Sequence, residues 1–255
     1  MYSSFQLGWR YAKYRFTAFN GKGHGMHSPF VFSFITRLLN DDRSFYAFGQ
    51  IEELREKLLQ CDGVFSTEGS GGTIRDIARK SLKSKKFGRL LFRMVDHYAP
   101  GTILELGTLF GINTAYLASA RKDCTVTTIE PNSTAARFAK DHFSKLGLDN
   151  IDLINADVDD SLATTVQAMQ KIDMVFVDCD HHYETTVRYF RELLPAAHES
   201  SIFIFDDIHR SREMEQAWEE IRNDDSVTLS IDLFSMGLIF FRKEQKVKQH
   251  FAIRF

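Results

Sequence analysis

The sequence is poor in the features that mark secreted and membrane-spanning proteins. It has only three cysteines, Cys61, Cys124 and Cys179, which are widely spaced and form no C-x-x-C pair. Such usage excludes the usual zinc framework and predicts a reducing compartment. No stretch approaches 18 consecutive apolar residues, and the first ten residues lack the apolar core of a secretory signal. We therefore expect a cytoplasmic protein without a transmembrane segment.

The chain also lacks a dominant charge. Its 32 Lys and Arg residues stand against 34 Asp and Glu, so no global field favours nucleic acid or opposes it. A chain of 255 residues with 44% hydrophobic content can bury one large core, or one core with a modest appendage.

A third absence concerns a glycine. Residues 103–111 read ILELGTLFG, an apolar strand that runs into a glycine loop. Ligands of open α/β sheets bind beyond the carboxyl ends of such strands, and glycine lets the backbone approach them closely. A dinucleotide fingerprint requires G-x-G-x-x-G, but Leu109 stands where the middle glycine should be. The loop therefore indicates a nucleotide-type cofactor other than NAD.

Two further strand ends carry acids. Glu130 closes the run 125–130, and its carboxylate oxygens could accept hydrogen bonds from both hydroxyls of a ribose. Asp157 follows the run 151–155. An aspartate in that position is also a common turn or helix-cap residue, so Asp157 has two readings.

Strand-like and helix-like segments alternate from about residue 89 onward, which predicts an α/β fold with a parallel sheet. The strand-like runs are 102–106, 125–130, 151–155, 172–177 and 201–205, followed by 227–232 and 237–242. Only four residues separate the last two runs. Because so short a link cannot hold a crossover helix, we expect them to form an antiparallel hairpin.

The motif E-x-G-x-x-x-G, formed by Glu105, Gly107 and Gly111, resembles the first motif of class I S-adenosylmethionine (SAM)-dependent methyltransferases. The resemblance covers roughly residues 89–242 and implies a Rossmann-like, seven-stranded, mostly parallel sheet with a C-terminal antiparallel hairpin. It also implies that Glu105 and the glycine loop hold the methionine end of SAM, that Glu130 binds the ribose and that Asp157 lies near the adenine. We expect a SAM-binding domain at residues 89–255 and an N-terminal helical extension at 1–88.

Acids also follow the fourth and fifth strands. Asp178 ends one strand and His181 comes three residues later, while Asp206 and Asp207 end the next strand. Carboxyl ends of parallel strands face one crevice, where three clustered carboxylates repel one another unless a proton or cation intervenes. Oxygen ligands in that number suit Mg²⁺ or another hard divalent ion.

Here the resemblance narrows to the divalent-metal-dependent O-methyltransferases, namely the catechol-type enzymes and their sugar and macrolide relatives. It implies that Asp178, Asp206 and Asp207 bind the metal, that Asp178 also lies beside the cofactor, and that His181 is the general base. Catechol-type enzymes usually have lysine as the base and asparagine as the third ligand. The residues found here look more like those of the sugar and macrolide branch, with a small hydroxylated substrate.

Plainer readings remain open at each position. Asp206 or Asp207 could serve the turn before a helix capped by Ser211, and His182 and His209 compete with His181 for the role of base. Two other functions are alternatives: a methyltransferase of the same fold that acts on RNA, and a methyltransferase-like interaction protein without catalysis. The segment 73–93 contains eight Lys or Arg residues and one acid. In the RNA alternative, these basic residues would bind the phosphate backbone.

The N-terminal region carries an aromatic stripe. Aromatic and small residues recur there at spacings of three and four, which places them on one helical face; they are Tyr2, Phe5, Trp9, Ala12, Phe16 and Phe19. The stripe predicts a helix that docks onto its own domain or onto the mate in a homodimer, or one that lies on a membrane surface. The glycine-rich stretch 68–72 could act as a lid.

Overall fold

The computed structural model describes residues 1–67 and 70–255. Its internal contacts divide the chain into two compact units. We call Asp42–Ser161 the central unit, and Met1–Asp41 together with Leu162–Phe255 the terminal unit. The boundary falls within one helix, α8 (Val158–Met169).

The central unit holds three parallel strands in the order β3-β4-β5: β3 (Thr102–Leu106), β4 (Thr125–Ile129) and β5 (Ile151–Ile154). Helix α6 (Ile112–Ala120) connects the first two strands, and α7 (Ser133–Leu146) connects the second and third. Four of the five β3 residues are buried, as expected of a parallel strand with both faces covered. The predicted alternation of strands and helices is confirmed here.

The first part of the central unit is mostly helical. It contains α3 (Tyr46–Leu59), β1 (Val64–Thr67), β2 (Ser70–Thr73), α4 (Ile74–Ser81) and α5 (Lys85–Tyr98), with β1 and β2 antiparallel. Phe48, Phe92 and Tyr116 are buried among its core residues. Of the proposed lid, residues 68 and 69 lie outside the described residues, and residues 70–73 form β2 instead of a free loop.

The terminal unit holds five strands in the order β10-β8-β9-β7-β6. They are β6 (Met174–Val177), β7 (Ile202–Asp206), β8 (Leu229–Asp232), β9 (Met236–Phe240) and β10 (Gln249–Ala252). The pairs β6/β7 and β8/β10 are parallel, whereas β9 runs antiparallel to both β7 and β8. The predicted α/β class, the mostly parallel pairing and the hairpin are thus confirmed.

Strand β10 corrects the predicted strand count. The sequence predicted seven strands that end near residue 242, and the described residues contain three more: β1 and β2, which pair with each other, and β10, which pairs with β8. Its residues are only partly buried or exposed, so they form no apolar run that a pattern search could detect.

The helices of the terminal unit begin at recognisable caps. Ser28 caps α2 (Pro29–Phe34), which carries proline in its first turn and continues into a π-helical segment, Ile35–Leu39. The predicted cap Ser211 accepts a hydrogen bond from the Met214 N–H at the start of α10 (Arg212–Asn223). Helix α9 (Tyr183–Leu193) packs beside α10. Among the described residues, no helix has the length and apolar character needed to cross a bilayer.

Helix α1 (Ser4–Thr17) docks within the terminal unit, but through a different face from the aromatic stripe. The buried Tyr14 donates a hydrogen bond to the Ile253 carbonyl and packs against Phe234. Arg10 pairs with Glu215 at 2.6 Å. Phe5, in contrast, is 85% exposed. The prediction that the stripe docks onto its own domain is therefore confirmed only at its two ends, where the Tyr2 hydroxyl donates to Glu215 and Phe19 packs against Phe251, while Phe5, Trp9 and Phe16 between them are exposed.

Candidate active site

The glycine loop after β3 lies in the central unit and turns through left-handed backbone. Gly107 has φ 98° and Gly111 has φ 74°. A Cβ on Gly111 would lie 2.5 Å from Phe143 Cε1, so this position excludes a side chain by space as well as by conformation. The Gly107 N–H donates to the Ile129 carbonyl at 3.0 Å, which ties the loop to β4.

Glu105 lies in β3, directly before this loop. Its carboxylate is fully buried, and its Oε2 accepts hydrogen bonds from the hydroxyls of Thr114 and Thr128, the latter at 2.7 Å. Burial raises the pKa of Glu105 to about 7, against the two hydroxyl bonds that lower it. Its Oε1 is buried without a hydrogen-bond partner among the described residues. Sequence reasoning missed the threonine partners, since nothing in the motif spacing marks them.

Glu130 connects the second strand end to the same loop. Its Oε2 accepts from the Leu109 N–H at 2.7 Å, and its Oε1 accepts from the Asn132 N–H at 2.9 Å. Leu109 itself has φ 47°. Burial raises the pKa of Glu130, while the backbone hydrogen bonds oppose that shift. An ionised carboxylate has about four acceptor positions, so Glu130 keeps capacity for the ribose hydroxyls that the sequence predicted.

Asp157 is exposed and serves the start of α8. Its Oδ1 accepts from the Asp159 N–H at 2.9 Å, and its carbonyl accepts from Ser161. This is the capping arrangement that the sequence left as one of two readings. Contact with adenine stays a prediction for this residue.

The acid cluster lies in the terminal unit, at the ends of two paired strands. Val177 of β6 pairs in register with Phe205 of β7. Asp178 and Asp206 each come one residue later, so the parallel strands bring these two acids to the same edge. Ligand atoms of Asp178, His181 and Asp206 all lie within 4.8 Å of one another. Asp206 is nearly fully buried.

His181 Nε2 lies at the centre of this cluster. It is 3.6 Å from Asp178 Oδ1, 4.0 Å from Asp206 Oδ2 and 3.7 Å from Asp207 Oδ2. It is buried and makes no hydrogen bond to any described residue. Asp207 lies at the margin, because its Oδ2 also accepts from Arg210 at 3.0 Å. The structure thus brings all four sequence-predicted residues of this cluster together.

The backbone around the cluster is strained. Asp180, His181 and Asp207 have φ values of 54°, 26° and 53°. Left-handed backbone costs a residue other than glycine on the order of 1–3 kcal/mol and persists where the surrounding structure enforces it, often at functional sites. These three positions of left-handed backbone adjoin the carboxylates of Asp178 and Asp206.

The competing histidines are held elsewhere. His209 Nδ1 lies 3.0 Å from Glu215 and its Nε2 lies 2.7 Å from Asp232. Burial works to lower the pKa of His209, but these two carboxylates together raise it above its usual value. His182 is exposed and faces Glu213. Neither belongs to the acid cluster, which favours His181 as the histidine that acts there.

A cavity of about 250 Å³ opens beside His181. It is lined by Met1, Asp180, His181, His182, Arg210, Ser211 and Glu213. Drug-sized ligand pockets usually start at roughly 300 Å³, so this space suits a small molecule.

The sequence matches a known domain over the range that contains the glycine loop and the acid cluster. Residues 104–208 match the family model Methyltransf_24, which describes a methyltransferase domain. These residues of the chain are therefore similar to a methyltransferase domain. Every site residue predicted from the sequence lies within the matched range of the methyltransferase domain. The comparison with curated proteins gave no match.

Solved structures share the fold of this methyltransferase. SAH-bound PaMTH1 from Podospora anserina is 14% identical with a TM-score of 0.63, covering 85% of this chain and 97% of that one. The O-methyltransferase from Bacillus cereus in complex with SAH is 17% identical with a TM-score of 0.58, covering 78% and 92%. TomG from Streptomyces achromogenes, an O-methyltransferase of tomaymycin synthesis bound to SAM, is 17% identical with a TM-score of 0.59, covering 78% and 91%. At these identities the likeness shows the fold alone.

Proposed function

We propose that this methyltransferase transfers the SAM methyl group to a hydroxyl oxygen of a small substrate, with the assistance of a divalent cation. The observation that carries the proposal is the convergence of three carboxylates on His181 Nε2, at 3.6–4.0 Å. Carboxylates at that density repel one another in a site of low dielectric unless a proton or a cation intervenes, and a bound cation relieves the repulsion among all three.

The donor set fits a hard cation. Asp178, Asp206 and Asp207 supply oxygen ligands of the kind that Mg²⁺ prefers, with water able to complete the shell. A cation bound there would lower the pKa of a substrate hydroxyl and fix its oxygen. Cys179 is a poor match for a hard cation and has no proposed role.

The chain's own residues have distinct parts in the reaction. His181 Nε2 accepts the substrate's hydroxyl proton, because histidine is the side chain that most often serves as a general base. Glu105, Gly107, Gly111 and Glu130 bind and orient the cofactor, with Glu130 at the ribose. Correct alignment of two reactants can remove on the order of 7–11 kcal/mol from an activation barrier. Binding the cofactor and the substrate in line is therefore the chain's main contribution to the rate.

Features outside the cluster support a small cytoplasmic substrate. The cavity beside His181 is small, at about 250 Å³. The three cysteines are free thiols, as expected in a reducing compartment. The RNA alternative is less well supported, because basic residues of the segment 73–93 pair with acids of their own unit: Arg75 with Asp62, and Lys85 with Glu52 at 3.3 Å.

The test uses methyl-labelled SAM and a fractionated cell extract. We expect label to enter a small-molecule fraction in the presence of Mg²⁺, EDTA to abolish the transfer, and added Mg²⁺ to restore it. Asp178→Asn and Asp206→Asn should each reproduce the effect of EDTA. Asp225→Asn removes an exposed carboxylate of the same unit, so this matched control should keep full activity.

Three results would each contradict the proposal. Transfer that is indifferent to EDTA and to both cluster substitutions would remove the cation. Label in RNA, with binding that weakens steeply as salt rises, would replace the substrate class. No transfer to any fraction, together with no SAM binding by calorimetry, would favour an interaction protein without catalysis.

A further inference from the structure

Exposed apolar side chains concentrate in the first 32 residues of the chain. The largest exposures there are Met1 at 90%, Phe16 at 86%, Phe5 at 85% and Trp9 at 71%. Single exposed apolar residues are normal on a protein surface, but a contiguous group marks an interaction surface.

Three of these side chains form a continuous ridge along α1. Phe5, Trp9 and Phe16 are separated by four and seven residues, and 3.6 residues per turn places them on one face. The other side of α1 is fixed by Tyr14 and Arg10, through the Ile253 carbonyl and Glu215. The ridge is therefore held outward by the docking of the helix. We call Phe5, Trp9 and Phe16 the aromatic ridge.

Basic charge surrounds the aromatic ridge. Residues 1–40 contain five Lys or Arg residues and no acid, although acids outnumber bases in the chain as a whole. Lys13, Arg15, Lys22 and Arg37 are exposed. Arg10 is the member of the set that pairs with an acid, Glu215. Lys13 and Arg15 thus give α1 itself exposed charge of one sign.

We propose that α1 is an interfacial helix that binds the surface of an anionic lipid bilayer. Interfacial helices combine an apolar face rich in Trp and Phe with flanking Lys and Arg, which is the composition found here. A second copy of the chain is a weaker occupant: an isologous dimer places the same patch on both partners, so it would bring Lys13 and Arg15 of one copy close to those of the other. Phosphate-bearing lipid headgroups complement this charge.

Trp9 provides a direct assay. The chain has two tryptophans, and the other, Trp218, is 3% exposed and serves as a constant background. With vesicles of phosphatidylcholine and phosphatidylglycerol, we expect the emission of Trp9 to shift to the blue and the protein to float with the lipid. With phosphatidylcholine alone, binding should be much weaker, and salt should weaken the anionic case.

Substitutions separate the two contributions. Lys13→Gln with Arg15→Gln should lower the partition coefficient on anionic vesicles about 25-fold, since each basic residue near such a surface contributes about fivefold. Replacing Phe5 and Phe16 with serine should lower it at least tenfold, and Trp9 remains as the reporter. Tyr46→Ser removes an aromatic side chain that is 85% exposed and lies outside this surface, so it should bind as the wild type does.

The proposal is overturned if the protein binds neither vesicle at millimolar lipid, or binds both equally. It is also overturned if light scattering finds a dimer that the ridge substitutions dissociate while lipid has no effect. Unchanged thermal melting of each variant confirms that it folds, because all substituted side chains are exposed.

Discussion

Replacement of Gly111 by alanine should destabilise the central unit through two separate costs. The residue has φ 74°, and left-handed backbone costs an L-residue about 1–2 kcal/mol. The added Cβ would also lie 2.5 Å from Phe143 Cε1 and 3.1 Å from Ala139 Cβ. Overpacking of a buried site typically costs about 1–3 kcal/mol more. We therefore expect Gly111→Ala to lower the free energy of unfolding by about 2–5 kcal/mol.

Gly147 is the matched control for this prediction. It has φ 64° at the end of α7, and a Cβ there would meet no atom within 4 Å. Gly147→Ala therefore carries the backbone cost alone, about 1–2 kcal/mol. Urea denaturation of both variants measures the difference, which is the steric term at Phe143.

A second variant tests the assignment of that steric term. Phe143→Leu in the Gly111→Ala background should recover part of the loss, because the colliding ring is removed. The reasoning about close packing at Gly111 is refuted if Gly111→Ala and Gly147→Ala lower the free energy of unfolding equally. It is also refuted if Phe143→Leu destabilises the Gly111→Ala variant as much as it destabilises the wild type.

Three further predictions concern single side chains. The fold raises the pKa of Glu105 from about 4.5 to about 7, so the native state binds more protons than the unfolded state between these pH values. Its stability should therefore fall by up to about 3 kcal/mol as the pH rises from 4.5 to 7. Glu105→Gln should flatten this pH dependence in urea denaturation. The pKa of His209 is raised, so its pairing with Asp232 and Glu215 stabilises fully below about pH 6.5 and is lost as the pH rises through the folded value. Amide protection factors in α1, corrected for the intrinsic exchange rate, should therefore fall at high pH in the wild type and stay constant in His209→Gln. Tyr14→Phe leaves the Ile253 carbonyl without its buried donor and should cost about 1–3 kcal/mol by thermal or urea unfolding.

Much of the central unit could be predicted because local rules and the tertiary fold agree there. The run before Glu105 is continuously apolar and forms β3, buried on nearly every residue. Gly111 stands where left-handed backbone starts α6. In the terminal unit, the hairpin of β8 and β9 followed from a link too short for a crossover.

The features that escaped prediction depend on partners distant in sequence. The periodicity of Phe5 and Trp9 correctly predicts a helix, but which face docks is decided by Tyr14 and its contact with Ile253. The spacing of the aromatic residues by three and four positions does not predict a contact with the Ile253 carbonyl. Likewise, Glu130 accepts a hydrogen bond from the Leu109 N–H, 21 residues away in the sequence. The motif spacing does not predict this bond, because the donor is a backbone group of a residue in left-handed conformation.

The acid cluster was predictable in its members but not in its arrangement. Strand ends placed Asp178 and Asp206 together, as expected of parallel neighbours. Asp207 was predicted as an equal ligand, yet it also pairs with Arg210. The left-handed backbone at His181 brings its Nε2 among all three carboxylates, and such strain leaves no signal in residue type.

Calorimetric titration with Mg²⁺ and with Mn²⁺ tests the central claim most directly, because it needs no knowledge of the substrate. We predict one binding site per chain in the wild type and in Asp225→Asn, and no site in Asp178→Asn or Asp206→Asn. Folded wild-type protein that binds neither ion, or binding that survives both cluster substitutions, would contradict the account.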